Sequence, residues 1–382
     1  MVRNAPAVKT MTTSPTPPEQ SSLEEALSAL EGIEALRGRL AGEAWLVGGA
    51  VRDLLRGETR TDLDIAVEGD VIETASLLGT LESTQEEFGT ASVVIDGVRV
   101  DIAGTRMERY AYPGALPEVQ RTTLAEDLAR RDFTVNAMAI PLLGAPELID
   151  PHGGQADLDA GLLRVLHPRS FSDDPTRALR AARYAARLGL DLEPETADLL
   201  ASVDLGTVSA DRVRAELRRT LAEESGPDAL ALLSRWGLAG IDEVVPKRVL
   251  ATRDLLAHPD WADVADLSDA LLAAATQSEP SAAAERLVKA GPERPSEGVA
   301  LTRGVTPLDI VAARVAGAHW LDDWAREWRR VALEIDGTDL LDRGIPQGPA
   351  LGRGLEAALR AKLDGETSGR DDELRIALRA AS

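Results

Sequence analysis

The hydrophobic period of this chain changes near Asp173, and that change restricts its architecture more than any other feature. Between about residues 44 and 165 the apolar residues fall in short β-type runs: AWLVGG, DLDIAV, ASVVIDGVRVDIAG and DFTVNAMAIPLL. Gly, Asp and Pro turns separate them. Beyond Asp173, Ala, Leu and Arg recur every three or four residues in DDPTRALRAARYAARLGL, ADRVRAELRRTLAEE, PDALALLSRWGL and ALGRGLEAALRAKLDG, the spacing of one helix face. The pattern predicts an α+β protein, with a mixed β-sheet and a few helices in the head and an all-helical remainder. Residues 1–22 are rich in Pro, Thr and Ser and are expected to form a disordered tail. At its end SSLEE resembles a capping box, so a helix is expected to open near Ser22 and to include LEEALSALEGIEALRGRL. Pro/Gly breaks near 226–227, 240, 291–295 and 344–349 interrupt the helical part. The expected divisions are a tail (1–22), a head (23–165) and two helical regions (166–225 and 226–382).

With 382 residues, 44% of them apolar, the chain can bury a sizeable core over two or three domains. It contains no cysteine, which excludes disulfides, thiolate zinc sites, iron–sulfur clusters and cysteine nucleophiles. No apolar run approaches the about 18 residues of a membrane span. Arg3 and Lys9 precede no apolar core of the kind a signal peptide carries. A soluble, cytoplasmic chain without membrane contact is expected. The 64 acidic residues outnumber 42 basic ones, a formal charge of −22. That excludes coat-like binding of DNA through bulk phosphate neutralisation, yet it leaves room for a local basic cleft on an acidic body.

The segment AWLVGGAVRDLLRGETRTDLDIAVEG concentrates the chemistry. Trp45 to Val47 reads as a strand running into Gly48-Gly49, with a helix opening at about Ala50. Paired glycines let backbone N–H groups approach an anion, and a helix N-terminus adds partial positive charge. Arg52 and Asp53 fall in the first helical turn, where Arg52 could reach a triphosphate and Asp53 suits the helix dipole. Along a strand, residues i and i+2 share a face, so Asp62 and Asp64 project together while Leu63 and Ile65 enter the core. Two adjacent carboxylates repel unless a divalent cation lies between them. Mg²⁺, which takes a few carboxylates plus substrate phosphates, is the natural guest. Asp101, alternating with Val100 and Ile102 in VRVDIAG, is a candidate third ligand. A strand–Gly-Gly–helix turn followed closely by an Asp-x-Asp strand resembles the signature of the DNA polymerase β-like nucleotidyltransferase superfamily. That resemblance implies two-ion phosphoryl transfer with Asp62 and Asp64 as the catalytic carboxylates.

Four further motifs follow in order: EDLARRDFTVNAMAI (126–140), IDPHGG (149–154), SDDPTRALRAARYAARLG (172–189) and SADRVRAEL (209–217). Together with the first segment they resemble the bacterial tRNA nucleotidyltransferase/poly(A) polymerase family, the class II CCA-adding group, over residues 25 to 220 or so. LEIDGTDLLDRGIPQGPALGRGLEAAL (333–359) is similar to the family's C-terminal region. The resemblance implies a polymerase β-like head, a neck over 166–225 that recognises the nucleotide base, and an RNA-binding body and tail over 226–382. It implies template-independent transfer of CMP and/or AMP from CTP and ATP to the 3′ end of tRNA, with release of pyrophosphate. No motif points to an obligate protein partner.

Residue by residue, the family resemblance implies that Gly48, Gly49 and Arg52 hold the triphosphate. Arg131 suits a phosphate, and Asp132 with Asn136 suits ribose hydroxyls. Asp174 and Arg177 match the family's protein template for base choice, and at i and i+3 they can share one helix face. Cytosine and adenine each place an exocyclic amine beside an unprotonated ring nitrogen. A carboxylate accepts from the first and a guanidinium donates to the second. Uracil and guanine reverse that order and would leave charges unpaired. Asp174-Pro175 also reads as an N-cap with Pro at the first helical position, and both readings can hold at once. The family usually carries Glu where this chain has Asp173, a shorter carboxylate able to shift an orienting hydrogen bond. Arg180 counts with the nucleotide-binding residues. The stripe Arg180, Arg183 and Arg187 either lines a phosphate path, with Arg183 and Arg187 on the RNA, or pairs with acidic neighbours. Arg212, Arg214 and Glu216 read as structural.

GTRMERYAYPGALPEVQRTTLAEDL corresponds to the family's flexible loop, which lets the base pocket switch from C to A and is shortened in enzymes adding only CC. Here the loop is present, PGALPEV is expected to turn, and Arg106, Glu108 and Arg109 can move against the pocket. The pattern resembles enzymes that add A, alone or within full CCA, more than CC-only enzymes. The final GETSGRDDELRIALRAAS lacks the basic extension typical of the family's poly(A) polymerases, which favours tRNA. His152, His167, His258 and His319 form no His-Asp dipeptide, so a metal phosphohydrolase is not expected. Two alternatives remain: a poly(A) polymerase acting on general RNA 3′ ends, and a non-catalytic RNA-binding protein on the same fold. The presence of both Asp62 and Asp64 speaks against the second.

Overall fold

The computed structural model describes residues 20–59, 62–85, 89–277 and 279–382; the expected disordered tail falls mostly outside them. The chain divides into two compact units, Met1–Glu216 and Leu217–Ser382.

In the first unit, α1 (Gln20–Ser28) and α2 (Ile33–Arg37) lead to β1 (Ala44–Val47), α3 (Gly49–Leu55), β2 (Leu63–Val67) and α4 (Val71–Leu78). The chain continues through β3 (Thr80–Gln85), β4 (Thr90–Ile95) and β5 (Val98–Gly104). A hairpin of β6 (Arg106–Arg109) and β7 (Glu118–Arg121) follows, then α5 (Leu124–Ala129) and β8 (Ala139–Pro141). Six strands form one mixed sheet in the order β3-β4-β5-β2-β1-β8. β2 and β5 run parallel with Asp64 beside Asp101, and antiparallel β4 sets Ser92 against Asp101. Leu63, Ile65 and Val67 join Leu46, Val93 and Ile102 in the main core beneath Leu27, Ile33, Leu36 and Leu54. Strand alternation therefore turns Asp64 to the opposite face.

Two local expectations change in the fold, and one strand was not expected. The helix near Ser22 is two helices, because Gly32 takes a left-handed φ of 82° between them. A Cβ there would lie 3.0 Å from the Cβ of Val98. Of DFTVNAMAIPLL only Ala139–Pro141 is a strand, preceded by a 3-10 turn at Thr134–Asn136. β3 is exposed along its length, an edge strand whose sequence TLESTQ carries no apolar alternation to reveal it. Between β4 and β5 both turn residues, Asp96 (φ 50°) and Gly97 (φ 91°), take positive φ, as a tight hairpin requires.

The first unit ends with α6 (Gly154–Ala160), β9 (Leu162–Leu163), α7 (Ser170–Asp173), α8 (Thr176–Leu188), β10 (Asp191–Leu192), α9 (Pro194–Leu200) and most of α10 (Ala210–Ala222). α8 buries Ala178, Leu179, Ala181, Ala182 and Ala185 and stops at Gly189 in the left-handed conformation. Its small apolar face lets the helix pack closely and leaves the arginines between as the polar wall.

The second unit is helical from Gly226–Arg235 to Arg370–Ala381, with no strand among its described residues. One core gathers Trp261, Leu287, Ile310, Val311 and Leu321, and another Ile335, Leu340, Ala358 and Ala377. No described helix is long and apolar enough to cross a membrane.

Candidate functional site

Gly48 makes the turn from β1 into α3 with φ 66°. The backbone conformation therefore favours glycine, and a Cβ on it, 2.7 Å from Arg131 Nη1, would displace the end of that side chain. One turn on, Arg52 is 1% exposed. Its Nε and Nη2 donate to Asp53 at 2.8 and 2.9 Å, and its Nη1 donates to Asn136 Oδ1 at 2.5 Å. The guanidinium expected at a triphosphate is thus turned into the protein, because a buried charge must be paired. Asn136 Nδ2 donates to Asp132 Oδ1 at 3.0 Å, and Arg180 Nη2 donates to Asp132 Oδ2 at 2.5 Å. A continuous path, Arg52–Asn136–Asp132–Arg180, ties α3 to α8.

Burial alone would raise the Asp132 carboxyl. Arg180, Asn136, Arg177 and the Phe133 amide outweigh it and hold the group at about 2. The same ion pair raises the Arg180 guanidinium, with Asp132 as the main cause. Beside this path Asp127, 2% exposed, accepts from Arg130 at 2.6 Å and from Arg131 at 2.9 Å. Its carboxyl lies below the usual range because Arg131 and Arg130 outweigh the desolvation that would raise it. Arg130 also donates to the Arg106 carbonyl at 2.7 Å and to Glu108 at 2.6 Å, which anchors the β6–β7 hairpin.

Asp64 is half-buried on β2, and Asp62 is exposed just before the strand. Desolvation, then the like charge of Asp101, pushes the Asp64 carboxyl up to about 6, and Asp62 adds to the rise against Arg131 and Arg52. Asp101, the expected third ligand, is held by Ser92 Oγ and by Arg99 at 3.2 Å. Among the described residues no three His, Asp or Glu side chains gather closely enough to hold a metal ion. Asp62 and Asp64 still fit a divalent cation: an oxygen-only pair whose half-buried member stays raised despite Arg131 and Arg52 suits Mg²⁺, which completes its shell with phosphates and water.

A cavity of about 390 Å³ brings together Gly48, Gly49, Asp64, Arg131, Asp132, Asn136, Asp174, Arg177 and Arg180. A second, of about 680 Å³, is lined by Arg52, Asp53, Asp62, Asp64, Tyr184 and Arg187. Asp64 borders both. Asp174 Oδ1 accepts from the Thr176 amide at 3.0 Å ahead of α8, but the N-cap position falls on Pro175 rather than on Asp174, one residue later than expected, because the first helical residue is Thr176. Arg177 donates to Ser170 Oγ and to the Arg130 carbonyl, each at 2.7 Å. Of the remaining stripe, Arg183 lies 4.6 Å over the Tyr184 ring and 3.9 Å from Glu216. Arg187 sits 5.8 Å from the same ring and 3.5 Å from Asp53. Both have acidic neighbours and lie against an aromatic ring. Arg183 lines neither cavity.

Sequence reasoning missed Asp127, Tyr184 and Arg212. Asp127 stands three and four residues before Arg130 and Arg131, a helical pairing signal that was present in EDLARR. Tyr184 lies inside the arginine stripe, and the stripe itself marked it. Arg212 meets Asp174 from 38 residues away, and no local pattern announces such a contact.

A glycine turn at a helix start, an Asp-x-Asp strand facing it and an arginine-walled cavity between them define the head of a polymerase β-like nucleotidyltransferase. Residues 44–164 match the family model of the Poly A polymerase head domain. The chain is 34% identical to an A-adding tRNA nucleotidyltransferase of Geobacter sulfurreducens over 88% of its own length and 45% of that protein. It is also 34% identical to a CC-adding tRNA nucleotidyltransferase of Deinococcus radiodurans over 88% of this chain and 89% of that one. A solved complex of a CCA-adding enzyme with CTP is similar in structure, with a TM-score of 0.72, 26% identity and coverage of 94% of this chain and 97% of that one. The chain belongs to the tRNA nucleotidyltransferase/poly(A) polymerase family, and it spans less than half the length of the Geobacter relative.

Proposed function

We propose that this protein transfers CMP and/or AMP from CTP and ATP to the 3′ end of tRNA without a nucleic-acid template. The observation that carries this reading is the convergence of the Gly48-Gly49 turn, Asp64, Arg131 and the Asp174/Arg177 pair on one cavity. In the reaction the RNA 3′-hydroxyl oxygen bonds to the α-phosphorus. The bond from that phosphorus to the bridging oxygen breaks, and pyrophosphate leaves with the electron pair. Asp62 and Asp64 would hold Mg²⁺, which supplies charge neutralisation at the transferring and leaving phosphates. The Gly48-Gly49 amides and Arg131 bind the triphosphate, Arg131 being held in place by Asp127. Asp132 and Asn136 face the sugar as a wall made rigid by Arg52 and Arg180. Asp174 accepts from the exocyclic amine of cytosine or adenine while Arg177 donates to the adjacent ring nitrogen.

The similarity to the Deinococcus CC-adding relative over nearly the whole of both chains favours a second reading, addition of CC alone. Purified protein incubated with tRNA ending before CCA, tRNA ending after CC, and an unrelated RNA, with each nucleotide separately, decides between them. The main reading expects A to be added, either to the CC end alone or as the last step of CCA on the bare end. A on the CC end alone marks an A-adding enzyme, and C on the bare end alone marks a CC-adding one. Comparable use of UTP or GTP would refute the base-reading pair, and equal extension of every RNA by ATP would indicate poly(A) synthesis.

A further inference from the structure

One charged side chain on the cavity wall has no part in the reading above. Arg212 stands on α10 and lines the same cavity as Asp174. Its Nη2 donates to Asp174 Oδ1 at 2.9 Å and its Nη1 to the backbone carbonyl of Gly114 at 2.9 Å. Asp174 Oδ1 also accepts from the amide and hydroxyl of Thr176, at 3.0 and 2.6 Å. Among the described residues no donor reaches Oδ2.

The terminal torsion of an aspartate is broad and roughly two-fold, so a carboxylate held by its own helix start can still rotate. Arg212 is the donor that comes from outside that helix, and it carries the charge. Its own place is set at the far end. Gly114, with φ 77°, sits where a Cβ would come within 2.6 Å of the Thr207 carbonyl. Its amide donates to the Ser172 carbonyl at 3.3 Å. The guanidinium therefore joins a fixed hairpin-tip carbonyl to one oxygen of Asp174.

We propose that Arg212 is a specificity-determining positioning residue: it fixes Asp174 by Oδ1 so that Oδ2 accepts the exocyclic amine of cytosine or adenine. The inference rests on the base-reading role proposed for Asp174. Without the guanidinium the carboxylate turns, the amine loses its aligned acceptor, and the carbonyl of uracil or guanine no longer meets a fixed negative oxygen. Discrimination falls, while the triphosphate contacts, and with them much of the common affinity, remain.

The test uses the full chain with Arg212→Ala, Arg212→Lys and, as a control on the same helix, Arg214→Ala. Arg214 pairs with exposed Asp211 at 3.0 Å. Calorimetric binding of CTP, ATP, UTP and GTP is paired with kcat and KM for each nucleotide on tRNA lacking CCA. Arg212→Ala is expected to lower the CTP/UTP and ATP/GTP ratios of kcat/KM by about 10- to 100-fold, the range of a charge-assisted hydrogen bond. The loss should appear mainly as raised KM for CTP and ATP. Arg212→Lys should recover part of it, and Arg214→Ala should match wild type. Unchanged ratios in Arg212→Ala, or an equal loss for all four nucleotides, would overturn the proposal. Should Arg212→Ala fail to fold, Arg212→Gln is measured in its place and decides by the same ratios. A wild type that binds the four nucleotides alike also overturns it. A wild type that prefers CTP and ATP but extends no RNA refutes the transfer reading instead, and the binding ratios of the variants still decide Arg212.

Discussion

Removing the charge of Asp64 should abolish transfer and stabilise the metal-free protein at once. The carboxyl is raised from 3.8 to about 6, chiefly by desolvation and then by Asp101. At 1.36 kcal/mol per pH unit this rise corresponds to ~3 kcal/mol. The sign follows from proton binding. Below pH 3.8 Asp64 is neutral in both folded and unfolded chains and has no effect. Between 3.8 and about 6 the unfolded chain ionises first, so the folded state holds the extra proton and stability falls as pH rises. Above about 6 the full penalty of a buried, like-charged carboxylate is present. Asp64→Asn lacks that penalty and should lose no hydrogen bond. In EDTA, the stability gap between variant and wild type should be small near pH 4, grow through pH 4–6 and level off at ~2–3 kcal/mol above it. Urea unfolding of both proteins across that range measures the gap directly. Added Mg²⁺ at pH 7 should stabilise wild type and narrow the gap. Activity should fall by about 10³-fold or more, the scale of losing several kcal/mol of phosphate charge stabilisation. A gap that stays flat with pH, or a wild type more stable than Asp64→Asn at pH 7 in EDTA, would refute the electrostatic argument.

Gly48→Ala should cost about 1–2 kcal/mol in backbone strain and push Arg131 from the turn, since its Cβ would fall 2.7 Å from Nη1; KM for CTP or ATP should rise while unfolding shifts modestly. Arg180→Ala leaves Asp132 buried and short of its main cation, at about 3–5 kcal/mol. Because the Asp132 carboxyl is held at about 2 rather than 3.8, its contribution is complete above pH 3.8 and lost as pH falls through 2. Acid unfolding of wild type should therefore show a transition near that range that Arg180→Ala shifts upward; an unchanged acid midpoint refutes the pairing. Asp127→Ala removes the shared partner of Arg130 and Arg131 and should destabilise by about 3–5 kcal/mol. It should also increase hydrogen exchange in β6–β7, whose anchor is Arg130; unchanged exchange there would show that the hairpin is held some other way.

The position of Asp64 was legible because a period of two is a property of the strand itself, although Asp62 falls just ahead of it, and the glycine turn because Gly48 adopts a backbone few other residues tolerate. The switch to helix beyond Asp173 was equally plain, since α8 repeats small apolar residues over three turns. What escaped was set by tertiary partners. Arg52 read as a cation able to reach a triphosphate, and only the fold supplies Asn136, 84 residues away. The neighbours of Arg183 and Arg187 on α8, Tyr184 with Glu216 and Asp53, are likewise supplied only by the fold. Gly32 divided a helix because Val98 packs against it. β3 stayed hidden because an edge strand exposed on both faces needs no apolar alternation.

The charge of −22 finds its meaning at Asp64, where two cavities of opposite character meet. The one holding the Gly48-Gly49 turn is lined by six arginines (Arg106, Arg130, Arg131, Arg177, Arg180 and Arg212) against four carboxylates (Asp64, Glu108, Asp132 and Asp174). The neighbouring one is lined by Glu31, Asp53, Glu58, Asp62 and Asp64 against Arg52 and Arg187 alone. Clefts lined by one sign of charge focus the field and concentrate the opposite ion. On the proposed function, the first cavity would favour the triphosphate and the boundary at Asp62 and Asp64 the divalent cation, although the whole chain is strongly acidic. This arrangement needs both signs within a few residues of one strand. Asp127, Asp132 and Asp53 are each locked to arginines, as carboxylates this buried require. The arginines of the wall are held by carboxylates yet still outnumber them, and that local excess is what an acidic protein needs to receive a polyanion.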